Sequence, residues 1–192
     1  MNVIRTIRSR RLLARVLSFA IVLLAAAMGS PAARSSPPAP GLDPMCSWNE
    51  LALKTVRVKQ GSDAVAARLY AMVNVAIYDA VNGIMSRQGE HTGREHALVP
   101  SKDAPPQGDL YAAASSAAHA VLAGEFPDLA TGFPDSSPGY DAQLQTDLAV
   151  LGPGGRTSAG QEWGSRVGQQ VRAARANDGS TPRTSVCSAP RR

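Results

Sequence analysis

Two cysteines, three histidines and 5% aromatic residues leave this 192-residue chain little material for the commoner kinds of site chemistry. Cys46 and Cys187 stand far apart, with no C-x-x-C spacing and no histidine group beside them, which argues against zinc. There is no Gly-x-Ser-x-Gly elbow to support a hydrolase triad. Gly152-Pro153-Gly154-Gly155 is not followed by Lys-Ser/Thr and follows no strand pattern, so it reads as a helix-to-helix turn rather than a phosphate loop. No period-two strand pattern and no internal repeat occur, which leaves an all-α chain. A surplus of charge is also missing where it would matter. The net charge of +5 is carried by Arg5, Arg8, Arg10, Arg11 and Arg15, all near the N-terminus, and the remainder is formally neutral. That removes the warrant for nucleic-acid or anionic-membrane binding.

Those arginines precede an apolar run, Val16 to Ala27, interrupted only by Ser18. Small residues follow, with cleavage expected after Ala32 or at the competing Ala27-Met28-Gly29. Residues 1–33 are therefore read as a signal peptide, and Ser9-Arg10-Arg11-Leu12-Leu13 fits a twin-arginine signal as well as an ordinary Sec signal. The run falls short of the ~20 residues that span a bilayer, so no membrane span is expected after cleavage. The expected address is exported, periplasmic or extracellular. There an oxidant could join Cys46 to Cys187, the other reading being two unpaired thiols.

Residues 34–45 form a Pro/Ser linker, and the helical part is expected over 46–180, followed by an irregular tail over 181–192. The mature length, on the order of 160 residues, is one domain's worth. Ser47 and Glu50 form an S-x-x-E capping box, which predicts a first helix from Trp48 to about Gln60, ended by Gly61. Ser62-Asp63 cap a second helix to about Met85, apolar on nearly every side and expected to be buried all round. Ser86 to Gly108 reads as a long connection. A third, alanine-rich helix runs from near Asp109 to Glu125, its alanines allowing a neighbour to approach closely, and Pro127 stops it. A fourth covers Tyr140 to Leu151 with Leu144, Leu148 and Leu151 on one stripe. A fifth, capped by Thr157 or Ser158, puts Trp163, Val167 and Val171 on one face and closes at Asn177-Asp178-Gly179. The expectation is a bundle of about five helices.

The segment Trp48-Asn49-Glu50, followed by Ala67-Arg68-Leu69-Tyr70-Ala71-Met72-Val73-Asn74-Val75-Ala76-Ile77-Tyr78-Asp79-Ala80-Val81-Asn82, resembles the N-terminal helices of bacterial vanadium-dependent haloperoxidase-like proteins. These belong to the wider superfamily of PAP2-type acid phosphatases. The likeness continues more loosely through Tyr111 to Pro127 and through Thr157 to Ser180, where Arg175-Ala176-Asn177-Asp178-Gly179-Ser180 is similar to the family's R-A-x-D-G-S. In an intact member the resemblance implies peroxide-dependent halide oxidation at vanadate, or phosphomonoester hydrolysis through a histidine nucleophile. The family's oxyanion pocket uses a Lys followed by Arg-Pro, a Ser-Gly-His, and an Arg followed by His. This chain has no Arg-Pro and no Ser-Gly-His, Lys102 runs into Asp-Ala-Pro-Pro, and Ser165-Arg166 continues without histidine. A tetrahedral oxyanion needs such arginine forks and N–H donors. The resemblance therefore carries over no catalytic, cofactor-binding or metal residue, and vanadate is expected only in an intact relative. It implies the incomplete half of a larger helical domain, a truncated fragment inactive alone. Its expected partner is a C-terminal helical half or a second copy of the chain.

Among the polar residues, Asp79 and Asn82 lie one turn apart on the apolar second helix. They read as a clamp to a neighbouring backbone, with Arg57, Arg68 or a capping N–H as partner, ahead of a site wall. His119 reads as a satisfied interface residue. His91 and His96, with Glu95, have an imaginable metal spacing but no helical context. Trp48 and Trp163 read as core anchors.

Overall fold

The computed structural model describes residues 43–89 and 97–180. Among them the chain forms α1 (Pro44–Lys59), α2 (Asp63–Gln88), α3 (Leu110–Glu125), α4 (Tyr140–Leu151) and α5 (Gly155–Arg175), with 3-10 turns at Ser101–Asp103 and Pro127–Leu129. The described residues contain no strand, only a lone bridge between Gly132 and Pro138, and the fold is an all-α bundle. The signal segment, residues 34–42 of the linker, His91, His96, Cys187 and the tail from 181 onward lie outside the described residues.

The first helix starts at Pro44, not Trp48. The Asp43 carboxylate accepts from the backbone N–H of Met45 at 3.0 Å and of Cys46 at 3.4 Å. Pro44 takes the first helical position, where a missing N–H costs nothing. The Ser47/Glu50 box is not used, because the Ser47 N–H already bonds the Asp43 carbonyl at 3.1 Å. The linker expected over 34–45 thus ends early, at an Asp-Pro pair that is itself a helix start. At the other end the left-handed residue is Gln60 (φ 51°) rather than Gly61.

Ser62 caps α2 as expected, but the helix runs past Met85 to Gln88 and leaves through Gly89 at φ 77°, a backbone that glycine adopts without strain. Its core face is Leu69, Met72, Val73, Ala76, Ile77, Ala80 and Ile84. The expectation of burial all round is wrong. Ala64, Ala67 and Ala71 are exposed, Tyr78 is 48% exposed, and Val75, Val81 and Met85 are half-buried. The reason is that, among the described residues, α1, α3, α5 and the Ser101–Asp103 turn pack on it and leave one side open. By length and composition α2 could cross a membrane, but its packing against three helices is that of a core helix.

The closest packing in the molecule is α3 against α5. Gly160, Gly164 and Gly168 recur every four residues on α5 and lie over the backbone of α3. A Cβ at these positions would fall 2.3 Å from the Asp109 carbonyl oxygen, 2.1 Å from that of Ala113 and 2.5 Å from that of Ala117. Only hydrogen fits there, and the alanines of α3 present no bulk against it. Trp163, Val167 and Val171 point from α5 into the core as the periodicity predicts. The helix nevertheless starts at Gly155, and Thr157 does not cap it, because its hydroxyl donates to the Gly152 carbonyl at 3.1 Å.

On α4 the residues match the expected span, but the stripe does not. Leu144, Leu148 and Leu151 are half-buried, and the fully buried positions are Tyr140 and Asp147. The loop before α4 is held to α1 by Lys54, which pairs with Asp135 at 2.8 Å and lies 4.5 Å from the Phe133 ring centre, and by the ion pair Lys59–Asp128. These pairs are exposed and are worth only about 0–1 kcal/mol each.

Candidate functional site

The polar side chains that tie the bundle together gather at three places, each joining elements far apart in sequence. At the first, Asp147 of α4 is 2% exposed and has no cation beside it among its bonded partners. Its Oδ2 accepts from the Trp48 indole N–H at 3.0 Å and the Ser115 hydroxyl at 2.6 Å, and its Oδ1 accepts from the Gln143 amide at 2.8 Å. Three neutral donors from α1, α3 and α4 thus meet one buried carboxylate, which satisfies it without a counter-ion. Beside it the Tyr140 and Thr55 hydroxyls share a 2.6 Å hydrogen bond, and Thr55 also donates to the Leu51 carbonyl at 2.8 Å. His119 sits edge-on to the Trp48 ring with centroids 6.2 Å apart, and its Nε2 lies 2.7 Å from Asp141 Oδ1. It is a satisfied interface residue.

The second place joins α2, α3 and the end of α5. Each of the three Arg68 nitrogens donates: Nε to Asp178 at 2.9 Å, Nη1 to Glu125 at 2.8 Å, and Nη2 to the Arg175 carbonyl at 3.0 Å. Glu125 also accepts from Arg172 Nε at 3.2 Å, and Arg172 Nη2 donates to the Gly124 carbonyl at 2.6 Å. Hydrogen bonding from Ser180 and then the Arg68 guanidinium hold the Asp178 carboxyl at about 2, below its usual 3.8. A depressed carboxylate contributes stability that is complete above 3.8 and disappears as pH falls toward 2. Arg68→Gln is therefore expected to move the Asp178 titration midpoint upward, with no comparable change at carboxylates outside the cluster, as read by carboxyl-carbon NMR.

The third place is Asp79, 1% exposed on α2. Neither Arg57 nor Arg68 is its hydrogen-bond partner. It accepts the backbone N–H of Val99 at 2.9 Å and so ties the segment before the Ser101–Asp103 turn to the core. Burial raises its pKa, opposed by hydrogen bonds from the Val99 and Leu98 backbone. With a raised folded value, its net effect favours the folded state most below 3.8 and weakens as pH rises through the folded value. Asp79→Asn keeps an acceptor for Val99 and removes the buried charge. It is expected to leave stability at neutral pH unchanged or higher, whereas Asp79→Leu strands the N–H and lowers it by about 1–3 kcal/mol, as read by urea denaturation. Asn82, the other buried polar residue on this helix, is 8% exposed.

These arrangements leave no reactive group. Both Asp147 oxygens are occupied and buried, and each Arg68 nitrogen already donates to a partner within the bundle. Among the described residues no group of three or more His, Cys, Asp or Glu side chains is placed to hold a metal. Cys46 is exposed, and hydrogen bonding and charge from Asp43, whose carboxylate lies 3.2 Å from the sulfur, raise its thiol pKa, the opposite of activation. A groove of about 180 Å³ lies between α2 and α5, floored by Met72, Val75 and Val171. That is below the roughly 300 Å³ at which small-molecule pockets begin. A larger depression, about 620 Å³, is lined by α5 side chains alone and encloses nothing. Ser116 on α3 is the described buried side chain whose polar oxygen has no partner.

No protein-family model, curated protein or solved structure matches the chain. Sequence reasoning singled out Trp48, Asp79 and His119 and placed each in the interior or at an interface, as the structure does. It missed Asp147, Glu125 and Arg172. Asp147 was hidden by the leucine stripe, which drew attention to a different face of α4. The one available signal was an acid three residues beyond Leu144 with no basic residue on its helix.

Proposed function

We propose that the chain is a non-catalytic helical scaffold, the N-terminal portion of an exported protein related to vanadium-dependent haloperoxidases and PAP2-type phosphatases. The observation that supports the scaffold reading is the fate of the polar residues that carry the resemblance. Trp48 holds Asp147, Arg68 holds Glu125 and Asp178, and Asp79 holds the Val99 N–H, so each is spent on joining elements of the bundle. Two widely separated pieces of the likeness, Ala67-Arg68 and Arg175 to Ser180, meet in a single ion-pair cluster.

On this reading the full chain oxidises no bromide with peroxide and vanadate in a monochlorodimedone assay, hydrolyses no p-nitrophenyl phosphate, and leaves the vanadium-51 NMR line of vanadate unchanged. Turnover in either assay overturns it. The open face of α2 supports a second reading, a stand-alone secreted module that binds a partner. A split enzyme, with its pocket on a separately encoded helical half, is separated from both by co-expression. Activity that appears only with a downstream segment encoding Arg-Pro and Ser-Gly-His motifs identifies the split enzyme.

A further inference from the structure

The sequence contains one Asp-Gly pair, Asp178-Gly179, and one Asn-Gly pair, Asn82-Gly83. Glycine sets no side chain beside its amide nitrogen, so in such a pair that nitrogen can close a five-membered ring on the preceding side-chain carbonyl carbon wherever the backbone can turn. At Asn82-Gly83 it cannot. That pair lies within α2, and a Cβ at Gly83 would fall 2.7 Å from the Trp163 ring, so the segment is fixed between helices. Asp178-Gly179 lies past the end of α5 and is exposed, with Gly179 at φ 82° and nothing within 4 Å of where its Cβ would stand. Only the carboxylate is held. Its Oδ1 accepts from the Ser180 N–H at 3.0 Å and its Oδ2 from Arg68 Nε at 2.9 Å. We infer that Asp178-Gly179 is a site of spontaneous covalent modification, isomerising through a succinimide to isoaspartate, and that Arg68 is the guard that sets its rate.

In the first step the Gly179 nitrogen bonds to Asp178 Cγ, and its proton leaves with one carboxyl oxygen as water. Water then opens the ring. Attack at Cγ restores aspartate, whereas attack at the Asp178 main-chain carbonyl breaks that carbon's bond to nitrogen and leaves isoaspartate, with the chain running through Cβ and Cγ. Composition is unchanged, and water is the sole co-reactant. Arg68 opposes ring closure in two ways. Its charge keeps the carboxyl ionised, the form whose carbon is the poorer target for a nitrogen lone pair. Its hydrogen bond, with that of Ser180, also keeps both oxygens turned to their donors. Once formed, the product has its carboxylate on the α-carbon and a main chain one methylene longer toward Ser180, so the paired geometry of Oδ1 and Oδ2 is lost. The link between α2 and the end of α5 is thus a fastening that chemistry can undo in one direction. This inference goes beyond the scaffold reading and does not depend on whether the chain has a catalytic relative.

The test is timed incubation of the full chain at neutral pH in heavy-oxygen water, followed by peptide mass mapping and enzymatic methylation of isoaspartate. The native chain is expected to gain isoaspartate and labelled oxygen slowly at Asp178. Arg68→Gln should gain them roughly tenfold faster or more, since it removes a charge-assisted hydrogen bond from the unreacted state, and Arg68→Lys should fall between the two. Asp178→Glu, which could close only a six-membered ring, should gain none at this position. Asn82-Gly83 serves as an internal gauge of unfolding, because its deamidation requires α2 to open. In Arg68→Gln that deamidation should stay at the native rate. Absence of isoaspartate at Asp178 from both the native chain and Arg68→Gln overturns the inference. So does an equal rate in the two, or a rise in Arg68→Gln matched by deamidation of Asn82, which would trace the chemistry to general unfolding. The oxyanion and turnover assays address the scaffold reading alone, so the two can fail separately.

Discussion

Gly164→Leu is expected to yield no cooperatively folding protein, and Gly164→Ala a folded but weakened one. Alanine is normally the better helix former by about 1 kcal/mol, so at an open helical position this substitution stabilises. Here the added carbon would sit 2.1 Å from the Ala113 carbonyl oxygen and 2.8 Å from its carbonyl carbon, both backbone atoms that no rotamer change can move. The whole of α5 must lift from α3, which draws Trp163, Val167 and Val171 away from their contacts. A net loss of about 1–3 kcal/mol follows for alanine, and a cost beyond the stability of an ordinary domain for leucine. Gly155→Ala serves as the control, since a Cβ there meets nothing within 4 Å. Thermal melts of the three variants read the result directly. A stabilised Gly164→Ala protein would mean that α3 and α5 do not pack on their backbones.

The second large effect is at Asp147. Removing the carboxylate by Asp147→Ala leaves the Trp48 indole, the Ser115 hydroxyl and the Gln143 amide without their acceptor, at a cost of about 3–5 kcal/mol. Trp48→Phe removes one of the three donors and keeps most of the ring. It is expected to cost less, about 1–3 kcal/mol, because the carboxylate retains two partners. In the double variant Trp48→Phe with Asp147→Ala the two losses should fall short of their sum, since the indole is no longer there to be stranded. Additive losses in chemical denaturation would show that the buried node is not one unit.

The all-α class and most helix spans were legible because their punctuation is local. Asp109 and Pro127 bracket α3, Gly139 and Gly152 bracket α4, and Ser62-Asp63 open α2, each by its own backbone chemistry. The start of α1 was misread because two cap signals compete within five residues, and the Asp-Pro pair takes the helix before Ser47 is reached. The open side of α2 was beyond reach for another reason. Apolar periodicity tells which residues can be buried, but the number of neighbours that cover them is a property of the bundle. Glycine spacing on α5 was in plain view, and its partner was half-recognised in the alanines of α3. The polar clusters lay furthest from sequence reasoning, since nothing local connects Trp48 to Asp147 or Arg68 to Asp178.

Those long connections set an order of events. Trp48 finds its acceptor 99 residues downstream, and Arg68 finds Asp178 110 residues downstream. Until synthesis has passed residue 147 the leading helices carry an unanswered indole, and a chain that stops short of residue 178 leaves Arg68 with Glu125 and the Arg175 carbonyl but without its second carboxylate. Pairings of such sequence separation favour slower folding than the local contacts of a helical protein would suggest.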